Sequence, residues 1–185
     1  MTTTTCRFFR PADRDDSFSN WSGNLGLSYD LGTARLYTRI ARGFRAPQTA
    51  ELYRLQAGQA VADLDSVRMD SFEIGLRGEP VSGFRYAVNA FWMAKDNVIF
   101  QDSDRQNVSG ASTDHEGVEL ELTWQISDIW YAEFAGSYAD HRYASPIDLR
   151  GAQGDLEGNI IDTAPKHFGS MRVGADTLLA SQPVR

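Results

Sequence analysis

Residues 21–31 read WSGNLGLSYDL, and this stretch decides the fold. Aromatic or aliphatic side chains, interrupted by one glycine, occupy the odd positions, and polar residues or glycine occupy the even ones. Because successive side chains of a β-strand point to opposite faces, this period of two predicts a strand of about ten residues with one apolar face and one polar face. Gly32 and Thr33 follow and predict a tight turn into a second strand.

The same alternation recurs six more times along the chain, and short turns alternate with long polar connections. The further runs are 34–44, 71–77, 85–93, 117–124, 130–138 and 170–175. The short connections are 32–33, 78–83 and 127–128, and the long ones are 43–70, 101–116 and 143–164. We therefore predict an all-β, antiparallel up-and-down meander of about seven strands. Its long connections should share one end, as the extracellular loops of a membrane barrel do.

The two faces of these strands differ in charge. One face is almost uncharged, and its aliphatic and aromatic members include Leu25, Leu27, Ile74, Val118, Leu120, Leu122 and Phe134. The other face carries whole charges, at Arg35, Arg39, Glu73, Arg77, Arg85, Glu119, Glu121, Glu133 and Arg172. Strands of about 9–11 residues are long enough to cross a bilayer when tilted, and tryptophans near the ends of the apolar runs match interfacial girdles. These features favour an apolar face that meets lipid, although alternation alone also fits a soluble sheet.

Composition excludes several classes of protein. A chain of 185 residues is about one domain, and its net charge of −7 disfavours a nucleic-acid surface. The single cysteine, Cys6, excludes an internal disulfide and a cysteine-based zinc site. The first 16 residues lack the apolar stretch of a signal peptide. We expect a disordered lead-in over residues 1–16, a barrel segment over 17–180 and a short tail over 181–185.

A motif after the second strand resembles a known family. Residues 41–53 read ARGFRAPQTAELY, similar to the signature of TonB-dependent outer-membrane receptors, in which Gly-Phe-Arg-Ala-Pro precedes Glu-Leu-Tyr. The matching residues are Gly43, Phe44, Arg45, Ala46, Pro47, Glu51, Leu52 and Tyr53. Residues 63–78, 89–100, 115–124 and 163–174 resemble further segments of the family, in its order. We expect the motif to be structural, with Pro47 ending the strand pairing and Gly43 permitting close packing.

The resemblance implies a partial slice of a large outer-membrane barrel. The family's barrel has about 22 strands, and its plug domain and energy-coupling box are not recognisable in this sequence. The parent protein is expected in the outer membrane, in contact with lipid, and coupled to the TonB complex through that plug. It would take up a scarce nutrient, most commonly a ferric siderophore and less often cobalamin, haem or a glycan. No cofactor is implied, and the slice alone is expected to be inactive.

Ligand contacts are expected in the long connections, because binding residues often lie on loops held by a rigid scaffold. Arginine and tyrosine suit anionic or aromatic metal chelates. The candidates of these two types are Tyr53, Arg54, Arg105, Arg142, Tyr143 and Arg150.

No catalytic or metal site emerges from the sequence. Asp114-His115-Glu116 and Asp140-His141 contain ligand-type residues, but neighbours on a strand point to opposite faces, so we expect them to be solvated rim residues. Glu119 and Glu121 share the charged face, where nearby arginines predict a salt-bridge ladder rather than a glycosidase pair.

An alternative function stays open on these residues. A soluble or surface β-domain with this pattern would bind a ligand or a partner through its long loops. An enzyme built on the sheet has no site to support it.

Overall fold

The computed structural model describes residues 8–9, 12–56, 59, 61–102, 104–146, 155–179 and 182–184. Its elements, in chain order, are β1 (Phe8–Phe9), β2 (Gly23–Asp30), β3 (Ala34–Arg45), α1 (Thr49–Tyr53), β4 (Leu55–Gln56), β5 (Val67–Val81), β6 (Phe84–Gln101), β7 (Asn107–Gln125), β8 (Trp130–Tyr143), β9 (His167–Ala175), β10 (Thr177–Leu179) and β11 (Gln182–Val184).

Seven strands form one antiparallel sheet in the order β2-β3-β5-β6-β7-β8-β9. Each pairs with the next sheet strand along the chain, so the predicted meander is confirmed. Two small antiparallel pairs, β1 with β4 and β10 with β11, lie outside this sheet.

Glycines make two of the short turns possible. Gly32 and Gly83 have φ angles of 87° and 82°, which side chains with a Cβ rarely adopt. A local hydrogen bond also holds the first of these turns, in which the Gly32 N–H donates to the Asp30 carboxylate at 2.9 Å. These turns fix the register of the paired strands, and the register keeps apolar side chains on one face and charged side chains on the other.

The register confirms the composition of the apolar face. One row across five strands contains Leu27, Thr38, Ile74, Ala90 and Val118. The members expected on this face all fall on the same side, and no other layer of the described structure covers them. Leu27 is 66% exposed and Met171 is 74% exposed.

The connection expected over residues 101–116 is wrong in its extent. β6 runs to Gln101 and β7 begins at Asn107, so only residues 102–106 separate the two strands. Asn107, Ala111, Thr113 and His115 are buried in the added part of β7. The buried positions there are polar or small, so the strand lacks the apolar periodicity by which the others were recognised.

The compact apolar core lies at the long-connection end rather than on the sheet. Leu52, Leu55, Ala62 and Leu64 form a buried cluster, and Tyr53 and Ile99 pack against it. Residues 12–16, within the segment expected to be a disordered lead-in, also contact this region. The Arg14 side chain donates to the Ala62 carbonyl at 3.3 Å, and the Tyr53 hydroxyl donates to Asp16 at 2.7 Å.

Helices contribute little to the fold. Within the residue ranges given above, the chain forms no helix with the length and apolarity needed to span a bilayer.

Candidate functional site at the mouth of the sheet

The described parts of the connections 46–66, 102–106 and 144–166 lie at one end of the sheet, and the turns 31–33, 82–83 and 126–129 lie at the other. On the apolar face, the uncharged stripe ends at Val118 on β7 and at Tyr138 on β8. The next residues on that face, Glu116 and Asp140, are charged and lie opposite each other. We use the name mouth region for loop 46–66 together with the parts of the strands beyond the stripe, which begin at Glu116 on β7 and at Asp140 on β8.

Loop 46–66 is anchored through the residues of the family-like motif. The Arg45 guanidinium donates two hydrogen bonds to the Glu51 carboxylate, at 2.9 and 3.2 Å. Glu51 also accepts the Gln48 backbone N–H at 2.6 Å, which caps the first turn of α1. Pro47 and Leu52 are buried beside this contact. Together, these interactions turn the chain from β3 into the loop.

One prediction about the motif is wrong. A Cβ placed on Gly43 would meet no atom within 4 Å, so close packing does not require glycine there. β3 pairs as far as Arg45, two residues before Pro47, as expected for a proline that ends the pairing.

Loop 46–66 packs against the part of the β6–β7 hairpin that extends beyond β5. Gln59 and Asn107 exchange two hydrogen bonds, in which the Gln59 amide donates to the Asn107 carbonyl at 2.8 Å and accepts the Asn107 N–H at 3.0 Å. The Asn107 amide also donates to the Glu51 carbonyl at 2.7 Å. The Asp65 N–H donates to the Ser109 hydroxyl at 3.1 Å. The loop therefore satisfies buried backbone groups of the hairpin, which holds it in place.

Two of the expected ligand residues, Arg142 and Tyr143, line one pocket, and Tyr53, Arg54 and Arg105 are not among its lining residues. The Tyr53 hydroxyl donates a hydrogen bond to Asp16, and the Arg54 N–H donates one to the Ala50 carbonyl at the end of α1. Arg105 lies in the turn between β6 and β7 with φ of 65°. Adjacent Arg142 and Tyr143 point to opposite faces of β8. Arg150 lies outside the described residues.

Charge pairs line the apolar-face side of the mouth region. Arg142 donates to Asp140 at 2.7 and 3.0 Å, and Arg42 donates to Asp70 at 2.5 and 2.7 Å. The Arg42 guanidinium holds the pKa of Asp70 below its usual range, and Arg142 does the same for the pKa of Asp140. These arginines are therefore engaged by carboxylates that stay ionised at neutral pH.

The predicted ladder through Glu119 and Glu121 does not form. In the described part of the chain neither carboxylate lies within 4.0 Å of a basic side chain, whereas Arg172 pairs with Glu133. The reason is the register, which places Asn89 and Ser137 opposite Glu119 and places alanines opposite Glu121.

Two histidines meet on the charged-face side of the mouth region. His115 lies directly opposite His141 in the register, and their Nδ1 atoms are 2.7 Å apart. The Thr113 hydroxyl lies 3.0 Å from Nε2 of His115. His115 is only 9% exposed, so the prediction that it is a solvated rim residue is wrong. Sequence adjacency did not indicate the pair, because its members lie on different strands.

The environment of His115 favours its neutral form. Burial lowers the pKa of His115 to about 4, the interactions with Lys95 and with His141 add to this effect, and Asp114 opposes it. The described residues contain no group of three or more His, Cys, Asp or Glu side chains placed to hold a metal ion.

Comparison with known proteins identifies the family. The model of the TonB-dependent receptor-like β-barrel matches residues 2–178. The ferric yersiniabactin uptake receptor FyuA from Yersinia pestis is similar in structure, with a TM-score of 0.69 and 20% sequence identity over 88% of this chain and 24% of FyuA. The copper transporter OprC is similar with a TM-score of 0.58 and 15% identity, over 82% of this chain and 30% of OprC. None of the curated proteins matches the chain in sequence.

The low sequence identities and the partial coverage limit these structural similarities to the fold. At such identities the solved structures show a shared fold, and the chain spans about a quarter to a third of their length. The family consists of outer-membrane receptors and transporters rather than enzymes. The match over residues 2–178, together with the seven-stranded meander, shows that the chain belongs to the TonB-dependent receptor β-barrel family.

Proposed function

We propose that this chain forms part of the barrel wall of an outer-membrane receptor that takes up a scarce nutrient with energy from the TonB complex. The observation that carries the proposal is a sheet with one uncharged, uncovered face and one charged face, in a chain of this family. In a barrel wall the uncharged face meets lipid and the charged face lines the interior. A plug domain supplied by the rest of the receptor would make the contact with TonB.

The uncharged stripe and the length of β7 support this placement. On β7 the stripe covers Val118, Leu120, Leu122 and Trp124, and charge returns on the same face at Glu116. The stripe spans seven residues, and β7 as a whole has 19, so the strand is long enough for the 9–11 residues with which a tilted strand crosses a bilayer. Trp124 at one border and Trp92 and Tyr138 at the other are placed as interfacial aromatic residues.

We propose a metal chelate, with a ferric siderophore as the first choice, as the nutrient. FyuA is named as a ferric yersiniabactin receptor and OprC as a copper transporter, so the two structural relatives named here are associated with metals. The candidate ligand contacts remain Tyr53, Arg54, Arg105, Arg142, Tyr143 and Arg150.

Uptake measurements test the proposed transport. Cells whose intact protein contains this segment are given ⁵⁵Fe bound to a panel of siderophores, with cyanocobalamin, haemin and oligosaccharides as competing classes. We expect iron uptake that requires the protein and is lost in a matched strain without TonB. Uptake of cobalamin, haem or glycan alone would contradict the choice of nutrient, and uptake of none of the four would contradict transport.

The alternative, a soluble ligand-binding domain, predicts different behaviour for the 185-residue chain alone. β2 and β9 each pair with one strand among the described residues, and unpaired edges beside an exposed apolar face promote aggregation. We expect the isolated chain to aggregate without detergent and to be inactive in transport. A monodisperse monomer with a cooperative thermal transition, measured by analytical ultracentrifugation and calorimetry, would favour the soluble domain.

A further inference from the structure

Two imidazoles that the proposed transport function does not use share one contact in the mouth region. His115 on β7 lies directly opposite His141 on β8, and their Nδ1 atoms are 2.7 Å apart. For this contact to be a hydrogen bond, the N–H of one ring must point at the lone pair of the other. The contact therefore holds one hydrogen between the two Nδ1 atoms and has no room for a second.

This geometry makes the contact sensitive to protons. A neutral histidine carries a hydrogen on one ring nitrogen, and a protonated histidine carries one on each. The hydrogen bond persists while one of the two Nδ1 atoms keeps its lone pair. When both rings are protonated, two N–H groups and two positive charges face each other across the contact. Full protonation therefore separates the two rings.

The surroundings of His115 oppose a charge on its ring. His115 is 9% exposed, and the Thr113 hydroxyl lies 3.0 Å from its Nε2. Burial is the main reason why its pKa is about 4, and the interactions with Lys95 and His141 lower the pKa further. A histidine released to water has a pKa of about 6.5. Because the open form binds a proton more readily than the closed form, acid favours opening.

Histidine is the side chain that ordinarily titrates between pH 5 and pH 8. Aspartate and glutamate ordinarily titrate below that window, and tyrosine, lysine and arginine titrate above it. A response inside the window therefore points to the histidine pair. The other titratable residues on the elements around the pair are Lys95 on β6, Asp114 on β7, Asp140, Arg142 and Tyr143 on β8, and Glu157 and Asp162 in the connection after β8.

The end of β8 that carries His141 also holds part of the connection that follows it. The Ile161 N–H donates to the His141 carbonyl at 2.9 Å, and the Tyr143 N–H donates to the Asn159 carbonyl at 3.0 Å. This end of β8 thus lies between β7 on one side and residues 158–161 on the other. Separation of β7 from β8 at the histidines would loosen the strand to which residues 158–161 are bonded.

We propose that His115 and His141 form a pH-sensitive latch, which keeps the β7–β8 end of the mouth region closed at neutral pH and releases it, together with residues 158–161, in mild acid. Arg142 and Tyr143, two of the candidate ligand contacts, lie on this end of β8, so release changes the surface that a ligand meets. The latch does not depend on which nutrient the receptor transports, because it is built from this chain's own wall residues.

Hydrogen exchange of the intact protein in detergent tests the latch without any nutrient. Protection factors, which correct for the intrinsic pH dependence of exchange, are measured over residues 139–144 and 158–161. The closed-form pKa of about 4 and the open-form value of about 6.5 predict that the opening equilibrium constant rises about 30-fold between pH 8 and pH 5. The Gln125 N–H, bonded to the Gly83 carbonyl at the opposite end of the sheet, should show no such change. Constant protection over residues 139–144 and 158–161 across this range would overturn the latch.

Variants separate the latch from general acid sensitivity. His115→Gln removes the ring that titrates and should abolish the 30-fold change. Lys95→Gln leaves both rings in place and removes one interaction that lowers the pKa of His115, so it should make the change smaller. A full response in either variant would overturn the latch.

His167→Gln is the matched control. His167 lies opposite Tyr138, in a row of the apolar face, so its replacement should leave the full 30-fold change. Loss of the response in this control would also overturn the latch. Circular dichroism and thermal transitions check that the compared variants are folded, and the Lys95→Gln result decides the question if His115→Gln does not fold.

Discussion

Arg45 and Glu51 are joined by two hydrogen bonds, of 2.9 and 3.2 Å, across the bend between β3 and α1. Arg45 ends the strand and Glu51 lies in the helix, so the pair closes the loop that begins with Ala46 and Pro47. The same carboxylate caps the helix through the Gln48 N–H. The arginine and the glutamate of the family-like motif are therefore one structural unit.

Glu51→Gln should loosen loop 46–66. Glutamine still accepts the Gln48 N–H but loses the charge that binds Arg45, so we expect the local free energy of opening to fall by about 1 kcal/mol. Native-state hydrogen exchange over residues 46–56 measures this. Glu119→Gln, an exposed carboxylate on the charged face, is the control and should leave the exchange unchanged. Equal exchange in the two variants would show that the pair does not hold the loop.

Gly75→Ala should destabilise the sheet. The ring of Tyr37 lies over Gly75 on the neighbouring strand, with Arg77 packed 5.8 Å from the ring centroid, and an added Cβ would overlap the ring. Displacing the ring should lower the free energy of unfolding by about 1–3 kcal/mol. Gly43→Ala is the control, because its Cβ enters open space. A Gly75→Ala variant as stable as Gly43→Ala in denaturant titrations of the intact protein would refute this packing.

Acid should release the segment around Asp16. The hydrogen bond from Tyr53 and the contact with Arg14 lower the pKa of Asp16. Because the folded-state pKa lies below the unfolded value of about 3.9, the stabilisation is present above that value and is lost as the pH falls through the folded-state pKa. Hydrogen-exchange protection factors over residues 12–20 should therefore decrease in acid.

The matched variants for this prediction are Tyr53→Phe and Tyr143→Phe. Tyr53→Phe removes the main donor to Asp16 and should reduce the acid dependence. Tyr143→Phe should retain it, since Tyr143 is not a donor to Asp16. The same acid dependence in both variants would mean that another group controls the release.

Leu120→Arg should be costly in the membrane, and Glu121→Arg should be nearly neutral. The two residues are neighbours on β7 but lie on opposite faces. Arginine facing lipid near the midplane costs about 2–4 kcal/mol, whereas positions facing the interior tolerate charge. Reversible unfolding of the intact receptor in lipid vesicles compares them. Similar losses in both variants would be incompatible with the facing assignment.

The strands were predictable because the alternation of side chains between the two faces can be read from neighbouring residues alone. Alternation in 21–31 and 117–124 follows from the opposite orientation of successive side chains, and it predicted β2 and the C-terminal part of β7 as strands, which the structure confirms. The strand over 107–116 was missed because its buried residues are polar or small, and the groups that cover them come from distant parts of the chain.

The candidate site was less predictable, because it depends on register between strands. His115 and His141 are 26 residues apart, and only the pairing of β7 with β8 brings their Nδ1 atoms together. Arg142 was expected to contact ligand, but its position beside Asp140 follows from spacing along β8 and from side-chain geometry that composition does not reveal.

Spin labels along β7 test the central claim most directly, which is that this sheet is a barrel wall with its uncharged face in lipid. Single labels are introduced at positions 118–123 of the intact protein in vesicles, and collision rates with oxygen and with a water-soluble nickel chelate are measured by electron paramagnetic resonance. The account predicts a period of two, in which 118, 120 and 122 are accessible to oxygen and 119, 121 and 123 to the nickel chelate. Equal accessibility of both sets to the nickel chelate would contradict it.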